Sequence, residues 1–357
     1  MKSIEEVVDG APAPEPPQRR RYRTNRADLD RAIDALVELA GVEDADLVAE
    51  MITSAVRYSL EGAHRGEVKL VNRALKELRH ARAVFARCPD RRKVTMFGSA
   101  RTLPSEPGYV VAHEFAAEIA KRGWMVITGA GGGIMEAGLT GAGKENGIGL
   151  HIDLPFEPKP SEILRGDPKL INFRYFFTRK LTFVKESDGF VMVPGGFGTL
   201  DETFELLTLL QTGRADMHPV VLLERGGAYW KELMRFFEEH LVERGLIDHD
   251  DLNLVRIAET PVEAADAMEG FYRNYHSERY VKGRLVFRLQ RVPSPDDLDR
   301  LSREFSDILA SGLIEVAEPS AEERAQEEHL ELQRIAFDYN RQTAGRLRAF
   351  IDALNEF

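Results

Sequence analysis

From Asp28 onward, apolar residues recur at every third or fourth position: Leu29, Ile33, Leu36 and Ala40, with Gly41 behind them as a stop. The spacing returns in Leu47, Met51, Ala55 and Tyr58, and again in Val68, Val71, Leu75, Leu78 and Phe85. These runs predict a helical preface over residues 27–90. At Lys93 the rhythm changes. Short apolar runs, KVTMFGSA, WMVITGAGGG, GIGLHIDLPF, GFVMVPGG and PVVLLE, alternate with helical stretches around 110–122, 134–146, 172–186, 199–212 and 229–243. Continuously apolar strands separated by helices predict a parallel sheet covered on both faces and reached by right-handed crossovers. Residues 91–275 are therefore expected to form an α/β domain, a doubly wound, Rossmann-like parallel sheet. Its ligands belong beyond the C-terminal ends of the strands.

The flanks follow other patterns. After residue 275, RLVFRLQ reads as a strand, SPDDLDRLSREFSDILASG as a capped helix with Leu298, Leu301, Phe305 and Leu309 on one side, and LIEVAE as another strand. Residues 315–328 hold six Glu against one Arg and read as a solvated linker or exposed helix start. A closing amphipathic helix is expected to take in Leu330, Leu332, Ile335, Phe337, Leu347, Phe350, Ile351 and Leu354. Residues 276–357 are thus an expected α+β appendage. Residues 1–26 run through APAPEPPQ to RRRYRTNR, too polar and proline-rich to bury a core. They read as a disordered tail in which Arg19, Arg20, Arg21, Arg23 and Arg26 are solvated, contact with a polyanion being the lesser alternative.

Composition narrows the class. At 357 residues, 43% hydrophobic, the chain is long enough for one large domain with attachments or for two domains. Forty-eight Lys and Arg against 59 Asp and Glu leave a net charge of -11, which disfavours nucleic acid and anionic membranes as partners. Cys88 is the single cysteine, so neither an internal disulfide nor a CxxC pair is available and a reducing compartment is expected. No window approaches the roughly 20 apolar residues of a membrane span, and MKSIEEVVDG lacks a signal-peptide core. The expected location is cytoplasmic. His64 and His80 stand without partners at metal-ligand spacing, and no metal is expected.

Three glycine clusters sit at predicted strand ends: Gly98 with Ser99 and Arg101; Gly129, Gly131, Gly132 and Gly133; and Gly195, Gly196 and Gly198 in PGGFGT. Glycine turns let backbone N–H groups approach an anion, and the following helix adds its positive end. Any one of them answers more readily to backbone geometry than to a ligand; together they point to a phosphorylated ligand. The dinucleotide pattern G-x-G-x-x-G is not met, and no phosphate loop ending in Gly-Lys-Ser/Thr occurs, which argues against a nicotinamide dehydrogenase and an ATPase. A mononucleotide fits better. With a helix starting near Thr199, the hydroxyl and free N–H groups can hold phosphate while Glu202 lies one turn on; Thr-x-x-Glu is equally a capping box. Upstream, NFRYFFTRKLTFVKESDGF puts Arg174, Arg179, Lys180 and Lys185 on one predicted helix. A cation on a sheet-packed helix is costly unless paired or at the mouth of a site, which singles out Arg179.

TRK at 178–180, PGGFGTLDE at 194–202, GSAR at 98–101 and GGGIMEA at 131–137 together resemble the Lonely Guy (LOG) family over residues 90–275. DPKLINFRYFFTRK and FYRNYHS are similar to its long bacterial members. The resemblance implies a phosphoribohydrolase that splits purine or cytokinin nucleoside 5'-monophosphates, AMP among them, into base and ribose 5-phosphate. It implies catalytic roles for Arg179 and Glu202, and a phosphate turn of Gly195, Gly196, Gly198 and Thr199. Gly98, Ser99, Gly131, Gly132, Gly133, Glu136 and Lys180 complete the implied substrate contacts. It implies no cofactor, and a homodimer or higher oligomer. The lysine decarboxylase label attached to such sequences requires a Schiff-base lysine, and Lys144, Lys180 and Lys185 lack that setting. The rival reading is a non-catalytic nucleotide-binding or cofactor-carrier protein of the same fold.

Overall fold

A computed structural model describes residues 22–153 and 161–357. Most of the expected tail, including Arg19, Arg20 and Arg21, lies outside the described residues. Contacts divide the chain into two units, residues 1–75 and 76–357.

In the first unit, Ala27–Ala40 (α1) and Ala45–Leu60 (α2) bury Ile33, Val37 and Ala49 against one another. Gly41 ends α1 at φ 60°, a left-handed conformation glycine adopts without a Cβ penalty, and its N–H reaches the Val37 and Glu38 carbonyls. Arg65–Phe85 (α3) runs across the boundary into the second unit, where Ala81, Val84 and Phe85 join the main core.

The second unit contains the expected α/β domain. In chain order it comprises Lys93–Phe97 (β1), Pro107–Lys121 (α4), Met125–Thr128 (β2), Ile134–Asn146 (α5), Gly147–Ile152 (β3), Leu170–Phe173 (β4) and Phe176–Lys185 (α6). Gly189–Met192 (β5), Phe197–Gln211 (α7), Val220–Leu223 (β6), Tyr229–Phe236 (α8), Val255–Ala258 (β7) and Pro261–Phe271 (α9) follow. The seven strands form one sheet in the order β4-β3-β2-β1-β5-β6-β7, with every pair parallel. β2, β5 and β6 are buried at every position because helices cover both faces. Chain direction across the sheet reverses between β1 and β5, so a crevice opens where their C-terminal loops part.

Two strands differ from expectation. LINF is the edge strand β4, not the start of a helix over 172–186, and Arg174 consequently precedes α6. The other edge, β7, exposes Arg256 and is too polar to read as a buried strand.

Tyr275–Val281 (β8), Arg284–Leu289 (β9), Pro295–Glu304 (α10), Leu309–Ala317 (β10), Ala321–Ala325 (α11), Gln333–Tyr339 (β11) and Ala344–Leu354 (α12) build the C-terminal part. Its four strands are antiparallel in the order β10-β11-β9-β8. Ser294 caps α10, which stops at Glu304, so Leu309 opens a strand. The closing helix is confined to α12: Ile335 and Phe337 belong to β11 and are buried there. Phe271, Tyr275, Phe287, Phe337 and Phe350 form a run of rings that joins this sheet to the core of the parallel one. No described helix is long and apolar enough to cross a membrane.

The acidic stretch 315–328 is not wholly solvated. Glu323 is buried, accepting from Arg288 Nη2 at 2.7 Å and Arg334 Nη2 at 3.2 Å, with the Ser320 N–H at 2.8 Å. Burial alone would raise its carboxyl, but the Ser320 N–H and the two guanidinium groups outweigh it and hold Glu323 at about 2. A depressed carboxylate adds stability above its unfolded range that is lost as pH falls through the folded value, here between about 4.5 and 2. Glu323→Gln should therefore lower unfolding free energy at pH 7 by about 3 kcal/mol in urea denaturation, with the deficit shrinking toward pH 3. An equal deficit at both pH values would assign the loss to packing.

Candidate active site

The turn after β1 and the turn after β5 are stitched together at the crevice. Val193 N–H donates to the Phe97 carbonyl at 2.9 Å and Ser99 N–H to the Pro194 carbonyl at 3.3 Å. Tyr229 Oη donates to the Gly195 carbonyl at 2.7 Å, fixing the far side of the PGG turn. Gly195 leaves no room for a Cβ, which would meet Thr199 Oγ1 and, at 2.8 Å, Ser99 N. Gly98 is equally constrained by Ile134, and Gly133, at φ +61°, lies over the Ser99 and Ala100 backbone. These three glycines answer to close packing within the protein. Gly196 and Gly198 differ, since a Cβ on either would meet nothing within 4 Å.

α7 starts at Phe197 with Gly196 as its N-cap and no side-chain cap. Thr199 is therefore the third helical residue and Glu202 the sixth, so the capping-box reading of Thr199 and Glu202 does not hold. The first N–H groups of α7 lack intrahelical acceptors, and Gly196, Phe197, Gly198, Thr199 and Glu202 line a cleft of about 780 Å³. Gly98, Ser99, Arg101, Gly131, Met135 and Arg179 line it as well.

Arg179 enters from α6. Glu77, buried near the end of α3, accepts from Arg174 N–H at 3.0 Å and Thr178 Oγ1 at 2.7 Å, which fixes the first turn of that helix. Arg179 then lies buried, its Nε donating to the Leu150 carbonyl of β3 at 2.7 Å and its guanidinium 5.1 Å from the Phe183 ring centre. A Cβ on Gly129 would collide with Arg179 Nη2, so this glycine serves the arginine. Glu202 is 13% exposed. Burial pushes its carboxyl up to about 7 against the opposing pull of Lys180 and Arg179.

Other expected site residues fall outside the cleft. Gly132 packs over the Ala100 carbonyl at 3.3 Å, and Glu136 is exposed on the first turn of α5. Lys180 does not line the cleft; it pairs with Asp201 at 2.8 Å and Glu205 at 2.7 Å. Met135, Phe97, Ile152, Phe176 and Phe197 supply apolar lining that the glycine signals did not single out.

Residues 129–268 match the family model described as "Possible lysine decarboxylase". The probable cytokinin riboside 5'-monophosphate phosphoribohydrolase LOGL2 of Oryza sativa subsp. japonica is 30% identical over 193 residues, 53% of this chain and 75% of the relative. LOG1 of Arabidopsis thaliana, a cytokinin riboside 5'-monophosphate phosphoribohydrolase, is 32% identical over 165 residues, 45% of this chain and 74% of its own. This chain belongs to the LOG family. Among solved structures, the molybdenum cofactor carrier protein of Chlamydomonas reinhardtii is 23% identical, covering 50% of this chain and 96% of that one at a TM-score of 0.36.

Among the described residues of this LOG protein no lysine lines the cleft. Lys144 is exposed and Lys185 pairs with Glu186 at 2.8 Å. The raised Glu202 carboxyl has a cost in stability. With its folded value above the unfolded one, stability falls as pH rises from about 4.5 to 7. Glu202→Gln removes that loss, so the variant should be more stable than the parent by about 2–3 kcal/mol at pH 8 and equal to it near pH 4 in urea titrations. A variant less stable at pH 8 would show that the buried carboxylate is fully compensated.

Proposed function

We propose that this chain is a phosphoribohydrolase that cleaves the N-glycosidic bond of purine or cytokinin nucleoside 5'-monophosphates, such as AMP, to free base and ribose 5-phosphate. The observation that carries this reading is the meeting of Glu202 and Arg179 in one cleft with the open glycine turn Gly196–Thr199. The N–H groups at the start of α7, with the Thr199 hydroxyl, receive the phosphate. As the bond from C1' to the base nitrogen breaks, positive charge grows on the ribose ring, and the Glu202 carboxylate faces it. Water adds at C1'; Glu202 orients it and takes its proton, while the departing base nitrogen gains a proton from solvent. Arg179, on the wall of the same cleft, holds phosphate or ribose oxygens through its guanidinium. Ser99 and Gly131, which also line the cleft, meet the ribose or base. None of these steps calls on a metal or cofactor.

Arg101 and Arg179 line the pocket that receives the substrate, although the chain carries a net charge of -11. The α6 surface supports a homodimer: Phe176, Phe177 and Leu181 are each about half exposed, and a second copy of the chain would cover them. Light scattering at micromolar concentration should give twice the chain mass, and a monomer would remove this part of the reading.

Purified protein incubated with AMP and with isopentenyladenosine monophosphate should release free base, followed by chromatography. Glu202→Gln should retain nucleotide binding and lose turnover by roughly 10²–10⁴-fold. Because the carboxylate form is the active one, kcat/KM should rise with pH through about 7 and then level. Calorimetric binding of nucleotide without base release, in folded protein, would replace the hydrolase by a binding or carrier protein.

A further inference from the structure

Lys180 adjoins Arg179 in sequence, yet the two side chains have different surroundings. Arg179 reaches the cleft, whereas the Lys180 ammonium lies between α6 and α7 with 13% of its side chain exposed. It stands 2.8 Å from Asp201, 2.7 Å from Glu205 and 4.0 Å from Glu202. Those three carboxylates lie on one face of α7, one turn or less apart. Three anions on one face repel each other, and a single cation set among them offsets that repulsion.

We infer that Lys180 is a positioning residue for Glu202: clamped by Asp201 and Glu205, its ammonium fixes α7 on α6 and holds a positive charge beside the reacting carboxylate without touching substrate. This rests on the proposed role of Glu202. The clamp is asymmetric. Asp201 and Glu205 take the short contacts and Glu202 the long one, so the lysine attracts Glu202 without closing an ion pair that would occupy its oxygens. A tight pair would leave the carboxylate unable to face C1'. Without any cation, its ionised form would be harder to reach at neutral pH. The charged groups acting on Glu202 are Lys180 and Arg179 from α6, which favour ionisation, and Glu205 and Asp201 from α7, which oppose it. Arg101, on the turn after β1, faces the same cleft.

Two substitutions then act in opposite directions. Lys180→Met removes the favourable charge and should move the acidic limb of kcat/KM up by about one pH unit. Glu205→Gln removes an opposing one and should move it down. Lys180→Arg should restore the parent limb. KM for AMP, measured above the limb, should stay within about twofold in all three, since neither side chain lines the cleft. A Lys180→Met variant with an unmoved limb and a KM raised tenfold or more would overturn the inference and make Lys180 a substrate contact. If Lys180→Met does not fold, the sign of the Glu205→Gln shift decides, an upward or absent shift counting against the clamp. The carboxyl titration of Glu202, followed by ¹³C NMR and assigned by its loss in Glu202→Gln, gives the same comparison without turnover. Full activity of Glu202→Gln would end the catalytic reading, while an unmoved Glu202 titration in Lys180→Met would end only the clamp.

Discussion

A guanidinium cannot be buried without acceptors and a counter-charge, and the site is arranged around meeting that demand for Arg179. Its acceptor is the Leu150 carbonyl of β3, one residue past the last pair of β3 with β2, Gly149 with Thr128. Its space comes from Gly129, where any side chain would overlap the guanidinium. Its direction comes from Glu77, which holds the first turn of α6 through a backbone N–H and a threonine hydroxyl. Three distant stretches of chain, residues 77, 129 and 150, therefore converge on one cation. The anion it faces, Glu202, comes from a fourth.

The glycines divide by the same kind of test. At Gly98, Gly129, Gly133 and Gly195 a Cβ would overlap protein atoms, so these positions are small because the fold is tight there. At Gly196 and Gly198 the space is open and borders the cleft, so smallness there keeps room for something that is not protein. The PGGFGT run mixes both kinds within four residues. Its first glycine locks the turn to the β1 loop, and the later ones leave the helix start bare, where unpaired N–H groups favour an anion.

Much of this was legible in the sequence because local and global preferences agree. KVTMF, MVIT and GFVM are apolar on both faces, and only a sheet covered on both sides accepts such strands. The glycine turns mark where those strands end, and TRK with PGGFGTLDE marks where the charged pair enters. Legibility stopped where tertiary partners override local pattern. LINF looked like the start of a helix since an edge strand is half polar and aromatic residues follow it. Ile335 and Phe337 fitted a helical stripe, but β9 and β10 flank them as a strand. Glu323 sat in an acidic run that no local rule separates from solvated surface, although Arg288 and Arg334 reach it from other strands. Lys180 was grouped with Arg179 by adjacency, and a rotation of about 100° per helical residue sends them to different neighbours.

Charge shows how the levels connect. A net charge of -11 describes the exterior and says little about a cleft whose walls bring together glycine backbone, apolar side chains, two arginines and the carboxylates of Asp201 and Glu202. Asp201, Glu202 and Glu205 crowd one surface of α7 and would repel one another if unopposed. Lys180 pairs with Asp201 and Glu205 and stands 4.0 Å from Glu202, the most buried of the three carboxylates. Burial keeps that carboxylate near its midpoint of ionisation at neutral pH. In the proposed reaction, a group in that condition admits a phosphate without strong repulsion and still presents negative charge to a ring that becomes positive, which a fully solvated glutamate in the same place would do less well.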